Sequence, residues 1–342
     1  MIYRMIKKKE ACMKHLPKTF LICVLSLSSL LLFGCSGKDM PDMPKSPLAN
    51  TSSGGSKSSG NQAEADPSVP PRDNTPQALV PEASGTAVYG NDLTSIDASH
   101  AEEGYIMVKY TGSNAKVKLR IAGPNQSEYI YLLSGGQEYE TFPLTCGSGN
   151  YQVQVLENAN ADMYALAFST DLSVTITNEF GPFLYPNQYV NFTPGCNTVA
   201  KGSELAKDTY SDLEVIENIY HYIIEGITYD EQKAANVSYG YLPVVDETLA
   251  SGTGICFDYA AVMSAMLRSQ RIPTKLEVGY SGEAYHAWIS TYIADIGWID
   301  KIIEFNGNSW TLMDPTLAAS NDRSAVGKYI GDGSNYVVKY SY

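Results

Sequence analysis

Basic residues are scarce in this chain: 24 lysines and arginines stand against 37 aspartates and glutamates in 342 residues, a formal net charge of −13. Six of the basic residues and one acid, Glu10, fall within the first 34 positions, leaving 18 basic against 36 acidic residues beyond them, or −18. A chain so acidic is repelled by phosphate backbones and anionic headgroups, which argues against nucleic acid as a partner. Cysteine is sparse too: six in the whole chain are too few for a disulfide scaffold. Together with isolated histidines they make no four-ligand zinc set, and no calcium-loop spacing of acids occurs, so no metal or cofactor is indicated. Aromatic residues are missing altogether between Gly34 and Tyr89. What the chain does have is length for roughly two domains and 44% apolar residues, within the ordinary globular range.

The N-terminus reads as a leader. Arg4, Lys7, Lys8, Lys9, Lys14 and Lys18 precede a fourteen-residue, mainly apolar run from Phe20 to Phe33, short for a membrane span. The run ends in Leu32-Phe33-Gly34-Cys35, a small residue directly before a cysteine. This resembles the lipobox of bacterial lipoproteins, which implies cleavage after residue 34 and a lipid on Cys35. Residues 35–85 then read as a disordered tether: 36–85 hold eight of the seventeen prolines, nine serines and five glycines. As a flexible coil it would reach roughly 40 Å root-mean-square. The expected location is extracytoplasmic, attached to the bacterial cell membrane through that lipid.

From Tyr105 the apolar residues alternate. Ile106, Val108 and Tyr110 make one period-two run, and Val117, Leu119 and Ile121 another. Tyr129–Leu133, Tyr151–Leu156, Met163–Phe168 and Leu172–Ile176 read as further strands, punctuated by turn signals such as Gly123-Pro124-Asn125 and Gly147-Ser148-Gly149. Short strands at short intervals predict an antiparallel β-sandwich over 86–195, with no catalytic constellation of its own. Beyond Cys35 there remain Cys146, Cys196 and Cys256. An oxidising compartment permits a Cys146–Cys196 bridge, with two separate thiols as the alternative, and either way Cys256 is left over.

The last third carries the chemistry. Ser211-Asp212-Leu213-Glu214 has the form of a capping box, and Leu213, Ile216, Tyr220, Ile223 and Ile227 follow at helical spacing. His221 lies off that stripe, as a surface histidine would. Then Ser251-Gly252-Thr253-Gly254 leads into Ile255-Cys256, and Phe257–Leu267 reads as a helix apolar on all sides, hence buried. A cysteine in the first helical turn sits among unsatisfied N–H groups that favour a thiolate. Tyr285–Ile289 reads as a strand with His286 and Trp288 on one face, and Trp310–Leu312 leads to Asp314-Pro315-Thr316. A thiol, an imidazole and a carboxylate in that order are the nucleophile, base and orienting group of a cysteine acyl-transfer enzyme.

Gly254-Ile255-Cys256, His286-Ala287-Trp288 and Asp314-Pro315-Thr316 together resemble the core of the transglutaminase-like superfamily, a circularly rearranged relative of papain, over about residues 205–320. Tyr229-Asp230 and Arg271-Ile272-Pro273-Thr274 fit the same pattern. The resemblance implies an α+β chain: the β-sandwich followed by a transglutaminase-like (papain-like) domain over 196–342. It implies Cys256 as nucleophile, His286 as base and acid, and Asp314 as the residue holding the imidazole tautomer. Asp300, after Gly297-Trp298-Ile299, is a rival third member. The Cys256 N–H is one oxyanion donor, with Tyr229, Tyr239 and Tyr241 as candidates for the second. The expected substrate is a protein or peptide, cell-wall peptide included, cut or cross-linked through a thioester. A non-catalytic surface module on the same core and a cell-wall peptide hydrolase of the other cysteine–histidine class stand as alternatives.

Overall fold

The computed structural model describes residues 72–281, 284–294, 296–300, 303–305, 310–312 and 336–342. The Cys35 lipid site, the leader and Asp314 lie outside the described residues. Among the described residues no helix is long and apolar enough to cross a membrane.

Two four-stranded antiparallel sheets come first. One has the order β1-β2-β3-β6, from Val88–Gly90, Thr94–Asp97, Tyr105–Tyr110 and Glu140–Pro143. The other has the order β5-β4-β7-β8, from Glu128–Leu132, Val117–Ala122, Gly149–Asn160 and Met163–Val174. The alternation read from the sequence is the one observed: Val117, Leu119 and Ile121 face inward with Ile106 and Val108 and with Tyr151, Val153 and Val155 of β7. Burying one face of each sheet is what joins them. One reading needs correction. Met163–Phe168 and Leu172–Ile176 are not two strands, because β8 runs unbroken through Ser169, Thr170 and Asp171, carried by its ladder with β7. A polar stretch breaks a hydrophobic pattern without breaking a hydrogen-bonded edge strand.

The stretch 72–85 departs from the expected disordered tether. Arg72 donates to Asp212 at 2.6 Å and to the Gln270 carbonyl. Asn74 donates to the Thr209 carbonyl at 2.9 Å, and the Gln77 amide to the Ser269 carbonyl at 2.7 Å. Backbone and polar side-chain bonds hold this strap, which a composition without aromatic residues does not disclose.

The second layer begins with α1 (Asn197–Ala206) and α2 (Asp212–Gly226). Ser211 caps α2 by accepting the Glu214 N–H at 3.2 Å, while the Glu214 carboxylate accepts the Tyr210 N–H at 2.8 Å. β9 (Thr228–Tyr229) and two short helices follow, α3 (Glu231–Asn236) and α4 (Val245–Ser251), then β10 (Thr253–Gly254). The central helix α5 spans Cys256–Ser269, buried from Asp258 to Ser269. It packs on β11 (Thr274–Ser281) and β12 (Ala284–Ile293), which pair antiparallel. Their sheet has the order β13-β12-β11-β16, with β13 at Gly297–Ile299 and β16 at Tyr336–Ser341. A hairpin of β14 (Ile303–Phe305) and β15 (Trp310–Leu312) completes the described elements.

Both layers share one apolar core. Tyr131 of β5 packs edge-on against Tyr342 with ring centroids 5.8 Å apart, and Tyr342 against Tyr189 at 4.4 Å. Tyr189 in turn meets Phe257, next to Cys256, at 5.5 Å. Arg268, 1% exposed, donates to three main-chain carbonyls: Tyr185 at 2.7 Å, Thr274 at 3.0 and 2.8 Å, and Tyr342 at 2.7 Å. The end of α5 is thus tied to the connecting segment, to β11 and to the residue after β16.

Candidate active site

Cys256 is the first residue of α5 because the chain before it is fixed from two sides. The amides of Thr228 and Asp230 donate to the carbonyls of Gly252 (2.8 Å) and Gly254 (2.9 Å), laying β9 parallel to β10. Gly252 ends α4 at φ +61°, a left-handed conformation suited to glycine. Gly254 is required for a different reason: a Cβ there would stand 2.8 Å from that of Asp258. Asp258, at the third position of α5, turns back and accepts the Ile255 N–H at 2.8 Å.

Cys256 is a residue of intermediate exposure whose thiol is itself largely buried, and the amide of Ala287, the residue after His286, faces that thiol. The first turn of α5 and β12 therefore meet at the thiol, one residue from the histidine. His286 is 9% exposed, and its ring lies 6.3 Å from that of Trp288, stacked at 29°. Trp288 donates to Glu277 at 2.7 Å and Ser290 to the same carboxyl oxygen at 2.8 Å. Behind His286, on the same sheet face, stands a buried carboxyl. Burial pushes Glu277 above the ordinary glutamate value, and the charge of Asp300 acts in the same direction.

The thiol's own electrostatics differ from the simple helix-start expectation. Burial pushes Cys256 up, and the Asp258 charge adds to it; the amides of Ala287, Phe257 and Cys256 act the other way without prevailing. A thiol so placed stays protonated near neutrality and needs a base to accept its proton.

The structure separates the three tyrosine candidates. Tyr229 lies against Cys256: the Cys256 N–H faces its hydroxyl, and burial foremost pushes it up to about 12, so it remains an O–H donor. Tyr241 donates to Asp258 and accepts from Lys233 at 2.6 Å, which commits its hydroxyl elsewhere. Tyr239 is 81% exposed. Asp300 follows β13, the strand paired with β12. Continuing the β12–β13 register sets it opposite Ser290, four residues or about 13 Å of strand from His286. β15 ends at Leu312, two residues before Asp314, which lies outside the described residues. His221 is exposed, and His100 is engaged in the sandwich by Glu103 at 3.0 Å.

Cys146 and Cys196 are separate free thiols, not a bridge. Burial pushes the Cys146 thiol up, and Cys196 accepts the Thr193 N–H at 3.3 Å just before α1. An oxidising setting permits a disulfide only where the fold also brings two sulfurs together.

With this geometry in view, the comparison with known families is specific. Residues 199–301 match the model of the transglutaminase-like superfamily. This part of the chain is similar to that superfamily. The match takes in β9, α5 and β12 with both Cys256 and His286. Similar solved structures include a candidate cysteine protease from Cytophaga hutchinsonii (15% identity, TM-score 0.31, 63% of this chain and 67% of that one). A candidate protease from Parabacteroides distasonis follows at 13% identity and TM-score 0.27, over 60% of this chain and 57% of that one. Red sea bream transglutaminase shares 12% identity at TM-score 0.24, over 64% of this chain and 49% of that one. No curated protein matches the chain.

Proposed function

We propose that the chain is a lipid-anchored, extracytoplasmic cysteine acyl-transfer enzyme acting on peptide or glutamine-type amide bonds, with Cys256 as nucleophile, His286 as base and acid, and Asp314 as orienting carboxylate. The observation that carries this reading is the meeting of the α5 start with β12: the amide that follows His286 faces the thiol of Cys256, a residue of intermediate exposure. His286 accepts the thiol proton, and the thiolate attacks the carbonyl carbon. The tetrahedral oxyanion takes the Cys256 N–H, which faces Tyr229, and the Tyr229 O–H turns toward it as second donor. Imidazolium gives its proton to the leaving amine as the C–N bond breaks, leaving a thioester. Water then yields hydrolysis; an amine such as lysine yields a cross-link.

The test incubates the full chain with a glutamine-containing acceptor protein, a labelled amine and purified peptidoglycan. The expected outcome is amine incorporation or peptide release by the wild type and neither by Cys256→Ala. Full activity in Cys256→Ala would rule the mechanism out, and no reaction in either protein would favour the binding-module alternative.

A further inference from the structure

We propose that Asp258, clamped by Lys233 and Tyr241, is a positioning residue for Cys256, and that Lys233 is the counter-charge that allows a buried carboxylate to stand beside the nucleophile. The proposal rests on the reading of Cys256 as nucleophile and concerns what holds it.

Asp258 is fully buried, yet both of its oxygens are engaged. One accepts the Ile255 N–H at 2.8 Å and the Lys233 ammonium at 2.7 Å; the other accepts the Tyr241 O–H. Lys233 also donates to the Tyr241 oxygen at 2.6 Å, closing a triangle. An isolated carboxylate at that depth would be costly, and the opposite charge together with full hydrogen bonding offsets the cost. Lys233 is placed by Asp230, whose carboxylate accepts the Lys233 N–H at 2.8 Å and whose own amide donates to Gly254. Gly254, Asp230, Lys233, Asp258 and Ile255 therefore make a closed ring of bonds around the residues that lead into Cys256. The same β9 register sets Tyr229 against the Cys256 amide, so the ring aligns nucleophile and oxyanion donor together.

The groups that face the thiol follow from every packed element. β12 supplies His286, the Ala287 amide and Tyr285, whose hydroxyl is pushed up by burial first and then by Tyr340, Tyr280 and Cys256. β9 supplies Tyr229, itself acted on by Glu231 of α3. α5 supplies the Phe257 amide and Asp258, with Lys233 behind. Among the described residues Asp258 is the carboxylate acting on the sulfur, and it opposes the thiolate.

The experiment is peptide-resolved iodoacetamide labelling of Cys256 in the full chain as a function of pH. Asp258→Asn removes the opposing charge and is expected to speed labelling near neutral pH by about tenfold, a midpoint shift of about one unit downward. Lys233→Met leaves that charge uncompensated and is expected to slow labelling by a similar factor. Lys233→Arg and Tyr241→Phe keep both charges and are expected to hold the wild-type midpoint. Shifts of the same sign in Asp258→Asn and Lys233→Met, or no shift in either, overturn the proposal. So does a shift in Lys233→Arg as large as in Lys233→Met, since a purely structural role predicts it. Cys256 of the wild type labelling no faster than a thiol of the denatured chain would overturn the nucleophile reading itself, and the proposal with it.

Discussion

Tyr229 and Glu277 show how single side chains shape this site without being nucleophiles. The Tyr229 hydroxyl faces the Cys256 amide. Its loss in Tyr229→Phe is expected to lower kcat by about a hundredfold, the scale for an oxyanion donor, with KM little changed. Steady-state kinetics on an amide substrate would check this, and an unchanged kcat would remove Tyr229 from the role. Glu277 is a matter of stability. Its carboxyl is raised by burial, so the folded chain holds that proton more tightly than the unfolded chain. The stabilisation is present at acid pH and is lost as pH rises from the ordinary glutamate value through the raised folded one. Glu277→Gln, which mimics the protonated acid, is expected to flatten the dependence of Tm on pH over that window. An unaltered profile would show that this group does not govern it. Of such residues the sequence disclosed Cys256 and His286, because a helix start and a strand alternation are local patterns. It could not choose Tyr229 over Tyr241, since the choice depends on the β9–β10 pairing, and Asp258, Lys233 and Tyr241 meet only in space.

At the scale of elements, α5 is the part on which the rest converges. Fourteen residues give it a length of about 21 Å, with Cys256 at one end and Arg268 near the other. A buried guanidinium bonded to carbonyls alone is pulled down by desolvation, and it persists here because every bond it makes closes an element onto the helix. Arg268→Met is expected to cost about 3 kcal/mol or more, by leaving buried carbonyls of Tyr185, Thr274 and Tyr342 without a donor. Chemical denaturation would measure it, and a loss under 1 kcal/mol would contradict the staple. The existence of α5 and α2 was legible, because long runs of apolar residues or a capping box set them. The short helices α3 and α4 were not, because six and seven residues carry too little period to stand out.

For the whole molecule, the shared core makes the sandwich a support for the layer that carries Cys256 and His286. Tyr131, Tyr342, Tyr189 and Phe257 pass contact from β5 to the residue beside Cys256. A single cooperative unfolding transition is therefore expected by calorimetry, with Tyr131→Ala costing about 3–5 kcal/mol across both layers. Two separate transitions would show the layers to be independent. The sandwich itself was readable from alternation, but its junction was not, and neither was the docked strap from Arg72 onward. Both are made by side chains whose partners lie far away in the chain.

The central claim is that Cys256 is a nucleophile whose proton passes to His286, and rate measurement of Cys256 alkylation at neutral pH with and without His286 tests it most directly. Burial alone would keep this thiol protonated. The account predicts fast labelling of Cys256 in the wild type, and in His286→Ala a shift of its pH midpoint above the ordinary cysteine range. Equal rates in the two proteins, or slow labelling in both, would contradict it.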